Sequence, residues 1–308
     1  MNINPKTFLR DFWDVIKKTV YRWDQADPWR QSAILAYYSI FSLPALILIV
    51  IIMAGYFLGE ESVSEELYTQ IADLLGSDVA RNVDIMVTNV AETGTSLTTF
   101  LVGLGFLIFG ATTVFYHLQL SLNRIWGVVP KPKKAFLKYL KDRLFSFGLV
   151  LSIGFLLMIS LIMNSILSIM GSWLMDMWPE TVSYLMNFFS YFGSLLVVTT
   201  LFALMFKILP DAVIRWRSVY LGAFLTALLF ALGQFGLSLY FRMLEPGSVY
   251  GAAASVILIL IWTSYMAMII LFGAEFTRQW AIKFGHGIKA KDSAELMDTE
   301  KNEFPLME

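Results

Sequence analysis

Long apolar runs separated by charged connections dominate the pattern of hydrophobic and polar positions along the chain. Six runs contain no charged side chain, and they cover residues 31–59, 93–123, 144–175, 181–206, 218–241 and 246–274. A helix of about 20 apolar residues crosses a hydrocarbon core about 30 Å thick, so each run is long enough to span a membrane. We therefore predict an all-α membrane protein with six transmembrane helices, at about 33–58, 97–118, 145–168, 182–206, 219–241 and 252–274.

The N-terminal segment, residues 1–30, has a different pattern, because its apolar residues recur every three or four positions. These residues are Leu9, Phe12, Ile16, Val20 and Trp23, and the segment also carries six basic and four acidic side chains. This spacing predicts an amphipathic helix that lies in the membrane interface. The same pattern also fits a helix that docks on the bundle.

Two further segments lie outside the apolar runs. The 59–96 connection carries eight acids and one arginine, and its Leu67, Ile71, Leu74 and Leu75 follow helical spacing. It predicts a short helical outer connection, whose acids either attract cations or only form a solvated face. Residues 277–308 form a predicted tail, and from Lys289 onward their mixed polar composition predicts disorder.

Lysine and arginine are concentrated in alternate connections. The segments 1–30, 124–143, 207–217 and 278–308 contain six, seven, three and five of them, so 21 of the 23 basic residues fall on one side. Because basic connections stay in the cytoplasm, we predict a multi-pass protein of the plasma membrane with both termini in the cytoplasm. The basic 124–143 connection also predicts contacts with anionic lipids.

Composition agrees with a membrane protein and argues against several kinds of site. The chain is 57% hydrophobic and 15% charged, with a mean hydropathy of +0.65 and a net charge of -1. It has no Cys and only two His, which excludes disulfides and makes Cys- or His-built metal sites hard to assemble. Phosphate-binding loops and Ser/His/Asp constellations are also missing. We therefore expect no cofactor, no metal, no nucleic-acid partner and no enzymatic activity.

The first predicted span contains a proline in a polar turn. Pro44 removes one backbone hydrogen bond, and Tyr37, Tyr38 and Ser42 lie close to it along the helix. Such a break is tolerated where protein or a watery cavity satisfies the freed carbonyl. The pattern predicts either the polar wall of a solute pathway near the cytoplasmic side or a purely structural kink.

Polar residues near the predicted cytoplasmic ends of the spans are candidates for a gate. Asn123 and Arg124 follow the second span and Glu275 follows the sixth, so an Arg124–Glu275 ion pair is geometrically allowed. This pair, or Glu275 alone, would form a cytoplasmic gate or a proton-sensitive switch. Alternatively, Glu275 reaches the headgroup layer and Arg124 is an ordinary topology signal. His117 is a candidate proton relay or a packing histidine.

Small residues mark candidate positions for close helix packing. Gly110, Gly251 and Gly273 lie in the second and sixth apolar runs, where a missing side chain lets another helix approach. The sequence leaves open whether these contacts form within one chain or between chains in an oligomer.

Four segments, in order along the chain, resemble one protein family. They are Ala36–Pro44 (AYYSIFSLP), Leu122–Val128 (LNRIWGV), Leu209–Asp211 with Ile214–Arg217 (LPD and IRWR), and Val249–Ala252 with Phe272–Phe276 (VYGA and FGAEF). On these segments the chain resembles the YihY/BrkB family of polytopic bacterial inner-membrane proteins, historically labelled ribonuclease BN-like, over about residues 5–285. The resemblance implies six transmembrane helices and an inner-membrane location, and it brings no settled biochemical activity.

For function, we predict a transporter or exporter-like role for a small solute or envelope component. A proline-broken first span rich in Tyr and Ser, together with an acid at the membrane edge, is more polarity than an anchor requires. The alternative is a non-transporting envelope scaffold that interacts with lipids or proteins. A membrane-bound ribonuclease ranks last, because the acids that would hold catalytic metal ions are concentrated in the predicted outer connection.

Overall fold

The described chain is mostly helical. The computed structural model describes residues 5–40, 97–131, 179–244, 254–285 and 287–297, with isolated positions between 64 and 88 and between 144 and 152. Its helices are α1 (Pro5–Gln25), α2 (Leu97–Ile125), α3 (Pro179–Ile208), α4 (Trp216–Leu244) and α5 (Ala254–Phe284). Residues 28–40 are helical as well, and they follow a turn at Asp27, whose φ is 54°.

Four of the predicted spans coincide with described helices. The predicted spans 97–118, 182–206 and 219–241 fall in α2, α3 and α4, and residues 254–274 of the sixth predicted span fall in α5. By length and composition, two described stretches are apolar enough to cross a membrane, namely Trp216–Leu237 and Val256–Phe284. The predicted spans 33–58 and 145–168 lie largely outside the described residues, and the described positions of the 59–96 connection are helical.

Helix α1 packs against the C-terminal part of α5. The ring of Phe12 lies edge-on to that of Phe276, with centroids 6.4 Å apart, and Lys283 Nζ lies 3.0 Å from Asp11 Oδ1. Tyr21 remains exposed. One face of α1 therefore docks on the bundle, as the second alternative expected. That α1 also lies in the membrane interface stays a prediction.

The described core centres on Trp126, directly after α2. Trp126 is 2% exposed and packs edge-on against Phe206 of α3, with ring centroids 6.2 Å apart. Its indole Nε1 donates a hydrogen bond to the carbonyl of Ala274 in α5 at 3.0 Å. Because a buried indole N–H needs an acceptor, this bond fixes the end of α2 against α5, and the ring contact with Phe206 packs it against α3.

Helices α4 and α5 approach closely through two reciprocal glycine–threonine contacts. A Cβ added to Gly222 in α4 would lie 1.8 Å from Thr277 Oγ1 in α5, and one added to Gly273 in α5 would lie 1.8 Å from Thr226 Oγ1 in α4. Each threonine hydroxyl donates to the carbonyl of the glycine one turn earlier in its own helix, at 2.7 Å. The contact is therefore tight and leaves neither hydroxyl unsatisfied, as in small-residue contacts between membrane helices.

A C-terminal strap, residues 287–297, ties two connections together. Within it, β3 (Lys289–Ala290) pairs with β2 (Ala212–Val213), and β4 (Ala294–Leu296) pairs with β1 (Val128–Pro130), both antiparallel. The predicted disorder is therefore wrong for residues 289–296, and the all-α prediction missed four short strands. Lys289 pairs with Val213 and Leu296 with Val128, so the partners are distant in sequence and no local pattern indicated them.

Candidate functional site

The structure brings together three of the four segments that carried the family resemblance. Trp126 donates to the carbonyl of Ala274, and Asn123 is hydrogen-bonded to Asp211. The end of α2, the connection between α3 and α4, and the C-terminal part of α5 therefore meet in one place. Buried polar side chains from all three segments make this place the candidate site.

The first part of the site is a clamp formed by Asn123 and Asp211, which are 3% and 4% exposed. Asn123 Nδ2 donates to Asp211 Oδ2 at 2.9 Å, and the backbone N–H of Asp211 donates to Asn123 Oδ1 at 2.8 Å. Gln119 Nε2 adds a longer bond to the same Oδ2, at 3.4 Å. Since one amide side chain both donates to and accepts from one residue, the clamp fixes the end of α2 to the α3–α4 connection.

The strap completes the surroundings of the clamp. The backbone N–H of Lys291 donates to the carbonyl of Asp211 at 2.9 Å, and Lys291 Nζ donates to the carbonyl of Ile208 at 3.3 Å. The second bond places a cation at the C-terminal end of α3, where the helix dipole favours positive charge. Asp211 was not among the predicted site residues. The only sequence signal for it was its place in the Leu209–Asp211 segment.

The second part of the site is the Glu275 pocket, which consists of Glu275, Arg278 and Gln279. The Glu275 side chain is 2% exposed, and its Oε1 accepts a hydrogen bond from Gln279 Nε2 at 2.5 Å. Arg278 Nη1 lies 3.8 Å from Glu275 Oε2. A buried carboxylate in a long apolar helix is costly without such partners.

The predicted Arg124–Glu275 pair is therefore not the pair that forms. Residues three and four positions apart lie on the same face of a helix, so Arg278 and Gln279 reach Glu275 without any contribution from α2. The spacing of these residues was visible in the sequence and was the signal that the prediction overlooked.

Arg124 has electrostatic surroundings of its own. Burial lowers the pKa of the Arg124 guanidinium, the positive charge of Arg30 lowers it further, and the charge of Asp27 opposes both effects. Asp27 Oδ2 itself lies 2.9 Å from Arg30 Nε.

An aromatic cluster contains three of the other predicted site residues. The rings of Tyr38 and His117 are stacked, with centroids 4.4 Å apart and an interplanar angle of 13°. Tyr37 lies edge-on to Tyr38 at 5.3 Å and is 55% exposed. The predicted pathway residues Tyr37 and Tyr38 thus adjoin the predicted relay His117, and their functional roles stay predictions.

The remaining predicted positions are only partly described. Ser42, Pro44 and Gly251 lie outside the described residues, and of Gly110 only its place in α2 is described. Gly273 lies in the close contact between α4 and α5. Across the part of the chain that the structure describes, no group of three or more acidic, His or Cys side chains is arranged to hold a metal ion.

The fold and the site define a class of protein: an α-helical membrane protein whose apolar helices meet at buried polar and ionic groups. The chain belongs to the BrkB family, because the family model described as Virulence factor BrkB matches residues 19–295. This match confirms the resemblance found on the four sequence segments.

Curated relatives are also membrane proteins by name. The UPF0761 membrane protein of Saccharophagus degradans is 26% identical over 91% of this chain and 62% of its own length, and that of Laribacter hongkongensis is 28% identical over 80% and 56%. The UPF0761 membrane protein YihY of Escherichia coli is 28% identical over 61% of this chain and 60% of its own length. The chain thus spans about three fifths of the length of these relatives. Their names state no enzymatic activity, and no solved structure matches the chain.

Proposed function

We propose that this BrkB-family protein is a six-span protein of the bacterial inner membrane with both termini in the cytoplasm. We further propose a transporter or exporter-like role for a small solute or envelope component. The distribution of 21 of the 23 basic residues on one side supports the orientation. The Glu275 pocket supports the role in transport.

The observation that carries the proposal is the burial of Glu275 in α5. This carboxylate is 2% exposed and lies within Val256–Phe284, a stretch long and apolar enough to cross a membrane. Ionisable residues in such helices are rare and usually mark the pathway of a solute, an ion or a proton. We assign Glu275 the role of a charged gate at the cytoplasmic end of the bundle.

The arrangement of the pocket suits a gate. Arg278 and Gln279 belong to the same helix as Glu275, so these contacts do not tie α5 to another helix. The separation of 3.8 Å between Arg278 Nη1 and Glu275 Oε2 is at the long end for an ion pair. A cationic group of a solute can therefore replace Arg278 at the carboxylate without breaking a short bidentate contact.

We expect the Glu275→Gln variant to fold and to release the solute more slowly than wild type. In a strain that lacks the protein, we expect one small molecule to accumulate after an osmotic shift and wild type to restore its release. Glu275→Gln should slow release by about tenfold, the equivalent of one lost charge-assisted interaction. The measurement compares small-molecule pools in the cells and in the medium before and after the shift.

The matched control is Glu295→Gln. Glu295 is an exposed strap residue paired with Lys131, so the same change there removes an exposed ion pair of little energetic value. This variant should release the solute as wild type does. Equal pools in all four strains would contradict transport of an abundant metabolite.

The second candidate, an envelope scaffold, is favoured by the tight packing of α4 against α5. The reciprocal contacts of Gly222 with Thr277 and of Gly273 with Thr226 leave no space between these helices at that level. A scaffold needs such a fixed bundle, together with the basic 124–143 connection for anionic lipids. Equal solute pools, combined with co-purification of a lipid or protein that depends on residues 124–143, would favour this candidate.

The proposed orientation predicts which side of the membrane single cysteines face. The chain contains no Cys, so each introduced thiol is the only one. Asp292→Cys in the strap and Asp84→Cys in the 59–96 connection both replace exposed residues. In spheroplasts, a membrane-impermeant maleimide should label position 84, and position 292 only after lysis. Labelling of position 292 before lysis would overturn the orientation, and the unsubstituted chain measures the background.

A further inference from the structure

Helix α4 exposes an apolar stripe along one of its faces. Trp216, Tyr220, Phe224 and Leu228 follow one another at four-residue steps, and each is 38–49% exposed. Residues four positions apart lie on the same face of a helix. The stripe belongs to Trp216–Leu237, a stretch long and apolar enough to cross a membrane. Its exposed face is therefore suited to the hydrocarbon of the bilayer.

Trp216, at the first turn of the stripe, contacts both a cation and a second ring. Lys207 Nζ lies 5.5 Å from the centroid of the Trp216 ring and donates a hydrogen bond to the carbonyl of Ile214. The Trp216 ring also stacks on that of Tyr220, with centroids 5.4 Å apart and an interplanar angle of 29°. Because Trp and Tyr are enriched where a membrane meets water, this group marks the level at which α4 enters the headgroup layer.

Two exposed arginines flank Trp216 in the chain. Arg215 directly precedes α4, and Arg217 is the second residue of the helix. Within the described part of the chain, neither arginine takes part in an ion pair. The acid nearest to them in sequence is Asp211, whose buried carboxylate is bonded to Asn123. Both guanidinium groups can therefore bind an external anion.

The strap adds a further cation on the same side as Arg215. Burial alternates along residues 212–215, since Ala212 and Ile214 are buried while Val213 and Arg215 are exposed. Alternate residues of an extended segment face the same side, so Arg215 lies on the side of Val213. Lys289 is exposed and pairs with Val213, and directly opposite residues of an antiparallel pair share one face.

The acids of these two segments leave the surface positive. Residues 207–217 and 287–297 together carry five basic and three acidic side chains. One of the acids is the buried Asp211, and another, Glu295, pairs with Lys131 at 2.8 Å. The third, Asp292, is exposed in the turn between β3 and β4. Its single negative charge does not balance the cations around Trp216.

These side chains form one surface, the α4 collar, which consists of Lys207, Arg215, Trp216, Arg217, Tyr220 and Lys289. We propose that the α4 collar binds the phosphate headgroup of an anionic membrane lipid whose acyl chains lie along the apolar stripe. The guanidinium fork matches phosphate oxygens bidentately, and a net negative headgroup complements the cations better than a zwitterionic one. A lipid, unlike a soluble phosphate compound, also covers the exposed rings below the arginines.

This surface is separate from the basic 124–143 connection. The proposal requires that α4 faces the bilayer, and it does not depend on transport by the protein. A test that reads the lipid composition beside α4 therefore succeeds or fails independently of any measurement of solute release.

The test uses the full-length protein with Phe224→Cys, which supplies the only thiol because the chain contains no Cys. This thiol carries a fluorophore that nitroxides quench. The protein is reconstituted in mixtures of phosphatidylglycerol and phosphatidylcholine, and in each mixture one of the two lipids carries a nitroxide on its acyl chain. Comparing the two quenching curves gives the relative binding constant of the two lipids beside position 224.

The test variant is Arg215→Gln/Arg217→Gln. Its matched control is Arg10→Gln/Arg81→Gln, which removes the same charge from two other exposed arginines. We expect phosphatidylglycerol to be preferred about fivefold beside position 224, both with all four arginines present and in the control. The preference should fall to about one in the test variant. If the test variant does not fold, Arg217→Gln should lower the preference and Arg10→Gln should not.

Three results would overturn the proposal. The first is an equal preference in the test variant and the control, which would leave the arginines as topology signals. The second is a preference that inorganic phosphate removes and chloride of equal ionic strength does not, which would assign the collar to soluble phosphate compounds. The third is the absence of quenching by either lipid, which would show that this face of α4 does not meet the bilayer.

Discussion

The Gly222→Ala variant should be among the least stable single variants of this protein. The new Cβ would lie 1.8 Å from Thr277 Oγ1 and 2.9 Å from Thr277 Cβ, so α4 and α5 must separate. Overpacking of this kind costs roughly 1–3 kcal/mol and occasionally more, which corresponds to a fall in melting temperature of about 2–10 °C. The measurement is the melting temperature of the detergent-solubilised protein.

Two comparisons isolate the clash from other effects. Gly236→Ala makes the same change in the same helix, at a position with nothing within 4 Å of the new Cβ, and it should cause no loss. In the Thr277→Gly background, both Thr277 atoms are gone and only the carbonyl oxygen of Gly273, 3.3 Å from the new Cβ, remains close, so Gly222→Ala should then cost much less. A full loss of stability in that background would show that Thr277 is not the obstacle.

The Asn123→Asp variant should lose the contact between α2 and the α3–α4 connection. The substitution replaces the Nδ2 donor, 2.9 Å from Asp211 Oδ2, with an oxygen that faces the same oxygen. Two buried carboxylates then face each other without the hydrogen bond that joined the two side chains, which costs roughly 3 kcal/mol. The expected result is a lower melting temperature and faster proteolysis in the 124–143 connection.

The exchanged pair tests this explanation. In Asn123→Asp/Asp211→Asn, the new amide at position 211 can donate to the new carboxylate at 123, and the backbone N–H of residue 211 keeps its acceptor. Stability should recover most of the way to wild type, at the cost of the 3.4 Å bond from Gln119. Asp292→Asn, an exposed change in the strap, is the control and should behave as wild type. If the exchanged pair is as unstable as Asn123→Asp, hydrogen bonding between the two side chains does not hold this contact.

Sequence reasoning found the right segments of the site and not its connections. The segments around Asn123, Asp211 and Glu275 were all singled out for their resemblance to one family. The partner assigned to Glu275 was wrong. Arg124 was chosen because both residues lie at predicted cytoplasmic ends of spans, and the prediction overlooked Arg278 and Gln279, which are nearer and on the same helix. Asp211 was overlooked as a site residue, because nothing local distinguishes a buried acid in a connection from a solvated one.

The sequence by itself determined that this is a helical membrane protein of the BrkB family and where several of its helices lie. Apolar runs report helix positions because each run must match the thickness of the membrane. Only the tertiary structure decided that the strap pairs with β1 and β2 and that Asn123 binds Asp211. It also decided that Gly222 and Gly273 each pack against a threonine of the neighbouring helix. These contacts join residues far apart in the chain, and their geometry depends on how the helices pack, which no local periodicity records.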